Sequence, residues 1–186
     1  MNVSMNKKCG GEKKKGGFTL LELLIVISII AILSVALVFI LNPAETLKKA
    51  RDAQRIADVN TIKTALGLYL TSTTTANLNL GGGGVCTTAK DSATTTSQII
   101  DGTGWLNLNL TTLSGGSPIS NLPLDPTNAG GYWYIYRCST NGDKFEISAK
   151  FESDAYKPGG TDDKAAKDGG NDATRYEVGT DLTIST

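Results

Sequence analysis

One carboxylate, Glu22, stands alone in an apolar run that extends from Phe18 to Leu41, FTLLELLIVISIIAILSVALVFIL. A charge inside a membrane helix costs roughly 2.5–3.5 kcal/mol on insertion scales, so such a residue points to a function and needs a named partner. Its alternative is a place near the interface, where water solvates it, and on the residues alone both readings stand. Asp162, Asp163, Asp168, Asn171 and Asp172 crowd a Gly-rich tail. Their oxygens suit calcium. But Lys157, Lys164 and Lys167 are interspersed and no EF-hand spacing is present, so the pattern favours a solvated loop. Calcium at Asp162, Asp163, Asp168 and Asp172 is the weaker candidate, and no cofactor is expected. Adjacent carboxylates such as Asp162 and Asp163 make no acid–base site. The chain has no His, which removes Ser-His-Asp and Cys-His catalysis and any His-ligated metal. Three Cys are too few for a disulfide-dense scaffold or a four-Cys zinc site. The expectation is therefore a protein that is not an enzyme.

The elements that carry these residues are uneven. Across 186 residues, 18 Lys and Arg balance 18 Asp and Glu, and no strongly basic surface is available for nucleic acid. The apolar run of Phe18 to Leu41, as a helix, measures about 36 Å, enough to cross a hydrocarbon layer of roughly 30 Å. A soluble core helix is rarely apolar on every side for so long. Lys7, Lys8, Lys13, Lys14 and Lys15 precede it against the single acid Glu12, which places the amino terminus in the cytoplasm and the remainder on the far side of the membrane. This holds whether the chain starts at Met1 or Met5. No small-residue cleavage site follows the apolar run, whereas Gly16-Gly17 precedes it.

The junction Lys13-Lys14-Lys15-Gly16-Gly17-Phe18-Thr19-Leu20-Leu21-Glu22 resembles the class III signal of type IV pilins and type II secretion pseudopilins. The resemblance is close from Lys13 to about Leu70 and only in outline beyond. It implies cleavage by a prepilin peptidase between Gly17 and Phe18, N-methylation of Phe18, and Glu22 as the fifth residue of the mature chain. The freed amine of Phe18 is then the cation nearest Glu22. Pairing with a neighbour's amine would fix the stagger between subunits. The implied fold is α+β: a long N-terminal helix with a protruding hydrophobic half, packed on a small C-terminal antiparallel sheet.

The spacing divides the chain into residues 1–17, a cleaved basic leader; 18–41, a transmembrane and polymerisation helix; 42–70, an amphipathic helix; 71–131, a Thr- and Gly-rich connection; and 132–186, sheet and C-terminal loops. As one rod, residues 18–70 would span about 80 Å. Asn42-Pro43 interrupts the pattern and is the candidate hinge. Beyond it, Ile56, Val59, Ile62, Leu66, Tyr69 and Leu70 share one stripe, expected against the head, opposite Ala50, Ala53 and Ala57. The interleaved charges Lys48, Lys49, Arg51, Asp52, Arg55 and Asp58 read as a solvated surface, with specific intersubunit bridges as the alternative and Lys48 and Asp52 spaced for a weak pair of about 0.2–0.5 kcal/mol.

Residues 71–118 have the composition of a long surface connection. Strands are expected at Tyr132–Tyr136 and Lys144–Phe151, joined through Asn141-Gly142, with a last one at Tyr176–Val178 or Leu182–Ile184. Phe145, Ile147, Ala149 and Phe151 share a face. Leu124-Asp125-Pro126 before Gly131-Tyr132 resembles the segment that enters the sheet in major pseudopilins and many bacterial pilins. Asn109-Leu110-Thr111 fits an N-glycosylation pattern that is often a chance match. If the leader leaves with Cys9, then Cys86 and Cys138 remain on an oxidising side, where a disulfide is expected; two separate thiols are the alternative. Such a bridge, closing 52 positions, would contribute roughly 3–5 kcal/mol.

The function implied is that of a structural pilin subunit polymerising into a type IV pilus filament. Its partners would be copies of itself, the membrane before assembly, the prepilin peptidase, and an assembly platform with its ATPase. Its location would be the cytoplasmic membrane and then an extracellular filament. A pseudopilin of a type II secretion or DNA-uptake system is the alternative within the family, and a signal-anchored surface protein or adhesin the alternative outside it. Loss of the leader removes five Lys and one Glu, leaving 13 basic and 17 acidic residues, a net of −4 that argues against direct nucleic-acid binding.

Overall fold

The computed structural model describes residues 16–72, 77–78 and 89–184. The chain divides into two compact units, Met1–Asn42 and Pro43–Thr186. The fold is α+β: two consecutive helices and a four-stranded antiparallel sheet.

In the first unit, α1 spans Leu20–Leu41, and none of its 22 residues is buried. It is the one helix among the described residues long and apolar enough to cross a membrane. Ser28 and Ser34 do not interrupt its apolar character, because each hydroxyl donates to the carbonyl four residues back, Leu24 and Ile30, at 2.7 Å. The helix stops at Asn42, held in the left-handed region at φ 39°, ψ 73°. Asn tolerates that region better than most residues, and the following Pro43 disfavours a helical conformation at Asn42. The helical stretch from Leu20 to Ser72 is thus two helices that part at Asn42-Pro43.

The second unit opens with α2, Pro43–Ser72, whose first position is the proline, where a missing N–H leaves no bond unmade. Its buried residues are Asp52, Arg55, Val59, Ile62, Ala65 and Leu66, while Ala50, Ala53 and Ala57 are exposed. The expected stripe is therefore present but extends towards the amino terminus through two charged residues. Reading Asp52 and Arg55 as solvated is corrected: both are fully buried. Asp52 pairs with Arg55 at 2.7 Å, and Lys48 lies 3.7 Å from Glu45 instead.

The sheet runs β1 (Lys90–Asp91), β2 (Ile135–Cys138), β3 (Phe145–Ala149) and β4 (Tyr176–Gly179), each antiparallel to its neighbour. The Asn141-Gly142 hairpin joins β2 and β3, with Gly142 at φ 67° and its N–H donating to Ser139 O at 2.9 Å. β2 starts later than its sequence pattern indicates. Just ahead of it the Trp133 carbonyl accepts from Arg175 Nη2 and the Tyr134 carbonyl from the Ser92 N–H at the end of β1. One face of the sheet presents Tyr136, Cys138, Phe145, Ile147, Ala149 and Val178 to α2 and the core.

The segment before β2 is irregular, as its composition indicates, but it is not a surface connection. Trp105, Leu106, Leu108, Leu110, Leu113, Ile119 and Leu122 are core residues. Four short strands cannot cover the α2 stripe, and these apolar islands complete the cover. Its backbone is satisfied internally: Trp105 N–H donates to Ser97 O, Leu110 N–H to Ile100 O, and Leu122 N–H to Gln98 O, all at 2.7–2.9 Å.

Candidate functional site

Phe18 is 85% exposed, and a Cβ placed on Gly16 or Gly17 would meet nothing within 4 Å. Neither glycine is required by the described parts of this fold. The bond between Gly17 and Phe18 lies just ahead of α1, in no helix or strand, and both residues are exposed to an external reader; Lys13–Lys15 lie outside the described residues. Thr19 is the N-cap of α1. Its hydroxyl accepts the Glu22 N–H at 3.2 Å, and the Glu22 carboxylate accepts the Thr19 N–H and the Thr19 hydroxyl, each at 2.9 Å. This reciprocal capping box places the carboxylate at the positive end of the helix, one residue from Phe18. The signal was visible in sequence as Thr19-x-x-Glu22 ahead of an apolar run. A lone intramembrane acid points towards a distant cation, although two local donors, the Thr19 N–H and hydroxyl, already bond its Oε2.

Cys138 is disulfide-bonded and buried, with its sulfur 3.4 Å from the Leu78 carbonyl oxygen. Cys86 lies outside the described residues. The four calcium candidates are not brought together. Asp162 holds Lys164 and Lys167 at 2.6 and 2.9 Å. Asp163 accepts the N–H groups of Gly159 and Ala166, Asp168 those of Gly170 and Glu177, and Asp172 the N–H and hydroxyl of Thr174. Among the described residues no group of three or more His, Cys, Asp or Glu is placed to hold a metal. Asn109 likewise turns its side-chain oxygen onto Thr111 N–H at 3.0 Å, capping the 3-10 turn Leu110–Thr112.

The chief polar feature that the sequence reading missed lies in the head. Arg55 donates through Nε and Nη2 to both oxygens of Asp125 at 2.7 and 2.8 Å, through Nη1 to Asp52 at 2.7 Å, and through Nη2 also to Thr127 at 3.0 Å and to Glu152. Asp52 further accepts the N–H groups of Glu152 and Ser153 at 3.0 and 2.8 Å. Asp125 accepts those of Thr127 and Asn128 at 2.8 and 3.1 Å. Arg51 closes the cluster on Glu152. Burial works against the charge of Arg55, but the bonds to Asp125 and Glu152 hold its proton more tightly than in water. The sequence signal was there: Asp52 and Arg55 continue the spacing of Val59, Ile62 and Leu66, and Leu124-Asp125-Pro126 stood out as a segment entering the sheet. This cluster fastens α2 to the chain on both sides of the β2–β3 hairpin.

A family model described as the prokaryotic N-terminal methylation motif matches residues 13–38. No curated protein and no solved structure matches the chain. The matched stretch holds the basic residues, Gly17, Phe18, the Thr19–Glu22 capping box and most of α1. Proteins with this motif are structural rather than catalytic, and the apolar helix fits anchoring in a membrane. Residues 13–38 thus carry a methylation motif that supports a class III signal peptide of the type IV pilin-like kind.

Proposed function

We propose that the chain is a pilin, a structural subunit that polymerises through α1 into a type IV pilus filament. What supports this is the coincidence of the methylation motif at residues 13–38 with a helix all of whose 22 residues are exposed. An apolar surface of this kind needs lipid or other apolar helices around it. The subunit waits in the cytoplasmic membrane with its amino terminus inside. A prepilin peptidase cuts between Gly17 and Phe18, and Phe18 is methylated. The assembly platform and its ATPase then transfer the helix from lipid into a bundle of like helices, where it stays out of water. Glu22 meets the amine of a neighbouring Phe18 there, and a disulfide between Cys86 and Cys138 ties the Thr- and Gly-rich segment to β2.

Mass spectrometry of the membrane and filament fractions tests the processing: an amino terminus at methylated Phe18 is expected, and an intact leader would show a signal-anchored surface protein. Glu22 has two roles to separate. Glu22→Gln keeps the capping-box geometry and removes the charge, whereas Glu22→Ala removes both. Both variants are expected to insert in the membrane and to form no filaments by electron microscopy. Filaments from Glu22→Gln would show that the cap, not the ion pair, is what assembly needs.

A further inference from the structure

The outer face of the sheet, away from the α2 stripe, carries acids that the filament reading does not use. Register places Arg137 opposite Glu146, Glu146 opposite Gly179, and Ser148 opposite Glu177, so Glu146 on β3 and Glu177 on β4 are diagonal neighbours. Both are buried, at 0% and 2% exposure. Their carboxyl groups lie within hydrogen-bonding reach of each other. Glu146 Oε1 accepts from Arg137 Nη1 at 2.8 Å, and Glu177 Oε2 accepts the Asp172 N–H at 3.0 Å. The remaining oxygens, Glu146 Oε2 and Glu177 Oε1, have no hydrogen-bond donor among the described residues. Two ionised carboxylates so placed would leave two buried acceptors facing like charge. A single proton between them makes one oxygen a donor to the other and satisfies both.

We propose that Glu146 and Glu177 share one proton and form a pH-sensitive clasp that holds β4 and the C-terminal loop on the sheet.

The surroundings fit this assignment. A Cβ placed on Gly170 would collide with Glu177 Oε2, so the loop is shaped to admit the carboxyl group. From the loop, Asp168 accepts the Glu177 N–H at 2.7 Å and turns further negative charge towards the site, and Asp172 lies beside its own N–H contact. From β2 comes Arg137, whose Nε is itself buried without an acceptor among the described residues. Arg175 is spent on Ser148 and the Trp133 carbonyl. From α2 and the turn Ala165–Lys167 and its flank, Lys63, Lys164 and Lys167 line the open cleft beside Glu177, with Lys164 and Lys167 both engaged by Asp162. Among the described residues the one cation bonded to the pair is Arg137, too few to hold two carboxylates ionised. Burial first, and then the charge of Glu177, push Glu146 up to about 7 against the pull of Arg137.

An acid whose pKa is raised in the folded state stabilises that state below its ordinary value, near 4.5, and the contribution is lost as pH rises through the folded value. The clasp is thus tight in acid and slack above neutrality. The test is amide hydrogen exchange of β4 in the full chain in detergent micelles, corrected for the intrinsic pH dependence of exchange. The opening equilibrium at Val178 should increase on the order of a hundredfold between pH 4.5 and pH 8. In Glu146→Gln the amide supplies a permanent donor, and the dependence should vanish with β4 still protected. Wild type and Glu146→Gln with the same pH profile would overturn the proposal. A second reading uses carbon-13 labelled glutamate carboxyls: one apparent titration well above the usual carboxylate range is expected, assigned by its loss in Glu146→Gln and in Glu177→Gln. Two ordinary titrations would overturn it. So would a profile that shifts on adding a chelator, which would put a cation rather than a proton between the oxygens.

Discussion

Arg55 shows how a charged residue becomes a structural one. It is fully buried, and its guanidinium is shared among Asp52, Asp125 and Glu152. A planar fork meets both oxygens of Asp125 at once, which an ammonium group does not do. Replacing Arg55 with Met leaves buried carboxylates without a cation, and removing one partner of a buried pair costs about 3–5 kcal/mol. Glu152 adds a pH signature. The hydrogen bond from Arg51 holds its carboxyl down to about 2 against burial, with Arg55 and Thr127 contributing. A depressed folded pKa stabilises above the ordinary value near 4.5, and that contribution is lost as pH falls towards 2. Denaturant unfolding of the full chain in micelles at pH 6 and pH 3 should show wild type losing stability on acidification. Arg55→Met should be weaker at pH 6 and lose less on acidification. An unchanged difference between the two pH values would refute the coupling.

The helices were legible because their patterns are long. An apolar run of more than twenty residues and a stripe repeating every three to four residues leave few other solutions. Asn42-Pro43 was legible as a break for the same local reason, proline chemistry. The hairpin and the core face of β3 followed from Asn141-Gly142 and alternation. The Thr-rich segment was not legible, because its apolar residues come in islands with no period, and only tertiary packing turns Trp105 and Leu110 inward. Asp52 and Arg55 were misread because a charge on a helix is by default solvated, and only partners far along the chain, Asp125 and Glu152 on Arg55 and the Ser153 N–H on Asp52, reverse that. Glu22 was legible as a site, whereas its capping role was passed over. The break at Asn42 can be tested directly. The left-handed Asn42 and the missing N–H of Pro43 end the α1 ladder, so the Ala44 N–H falls in the first turn of α2. Replacing Asn42 and Pro43 together with Ala removes the left-handed preference and restores the missing N–H. The amide of Ala44 should then exchange at least tenfold more slowly. No slowing would mean that the break is imposed by something other than these two residues.

The two units obey different physics. Pro43–Thr186 has its own core, with Val59, Ile62 and Leu66 of α2 meeting Phe145 and Ile147 of the sheet, and it carries its own buried ion cluster. The helix of Met1–Asn42 has no buried residue, and its stability comes from backbone bonds that lipid or apolar neighbours protect from water. Twenty-two exposed, mostly aliphatic residues in buffer form an apolar patch well beyond what soluble monomers display. A chain beginning at Pro43 should therefore stay monomeric in detergent-free buffer by analytical ultracentrifugation and unfold in one cooperative step. The chain beginning at Phe18 should need detergent and aggregate without it. If the shorter chain aggregates instead, part of the head surface relies on the first helix for cover, and the division of labour between a self-sufficient head and a helix that needs company is wrong.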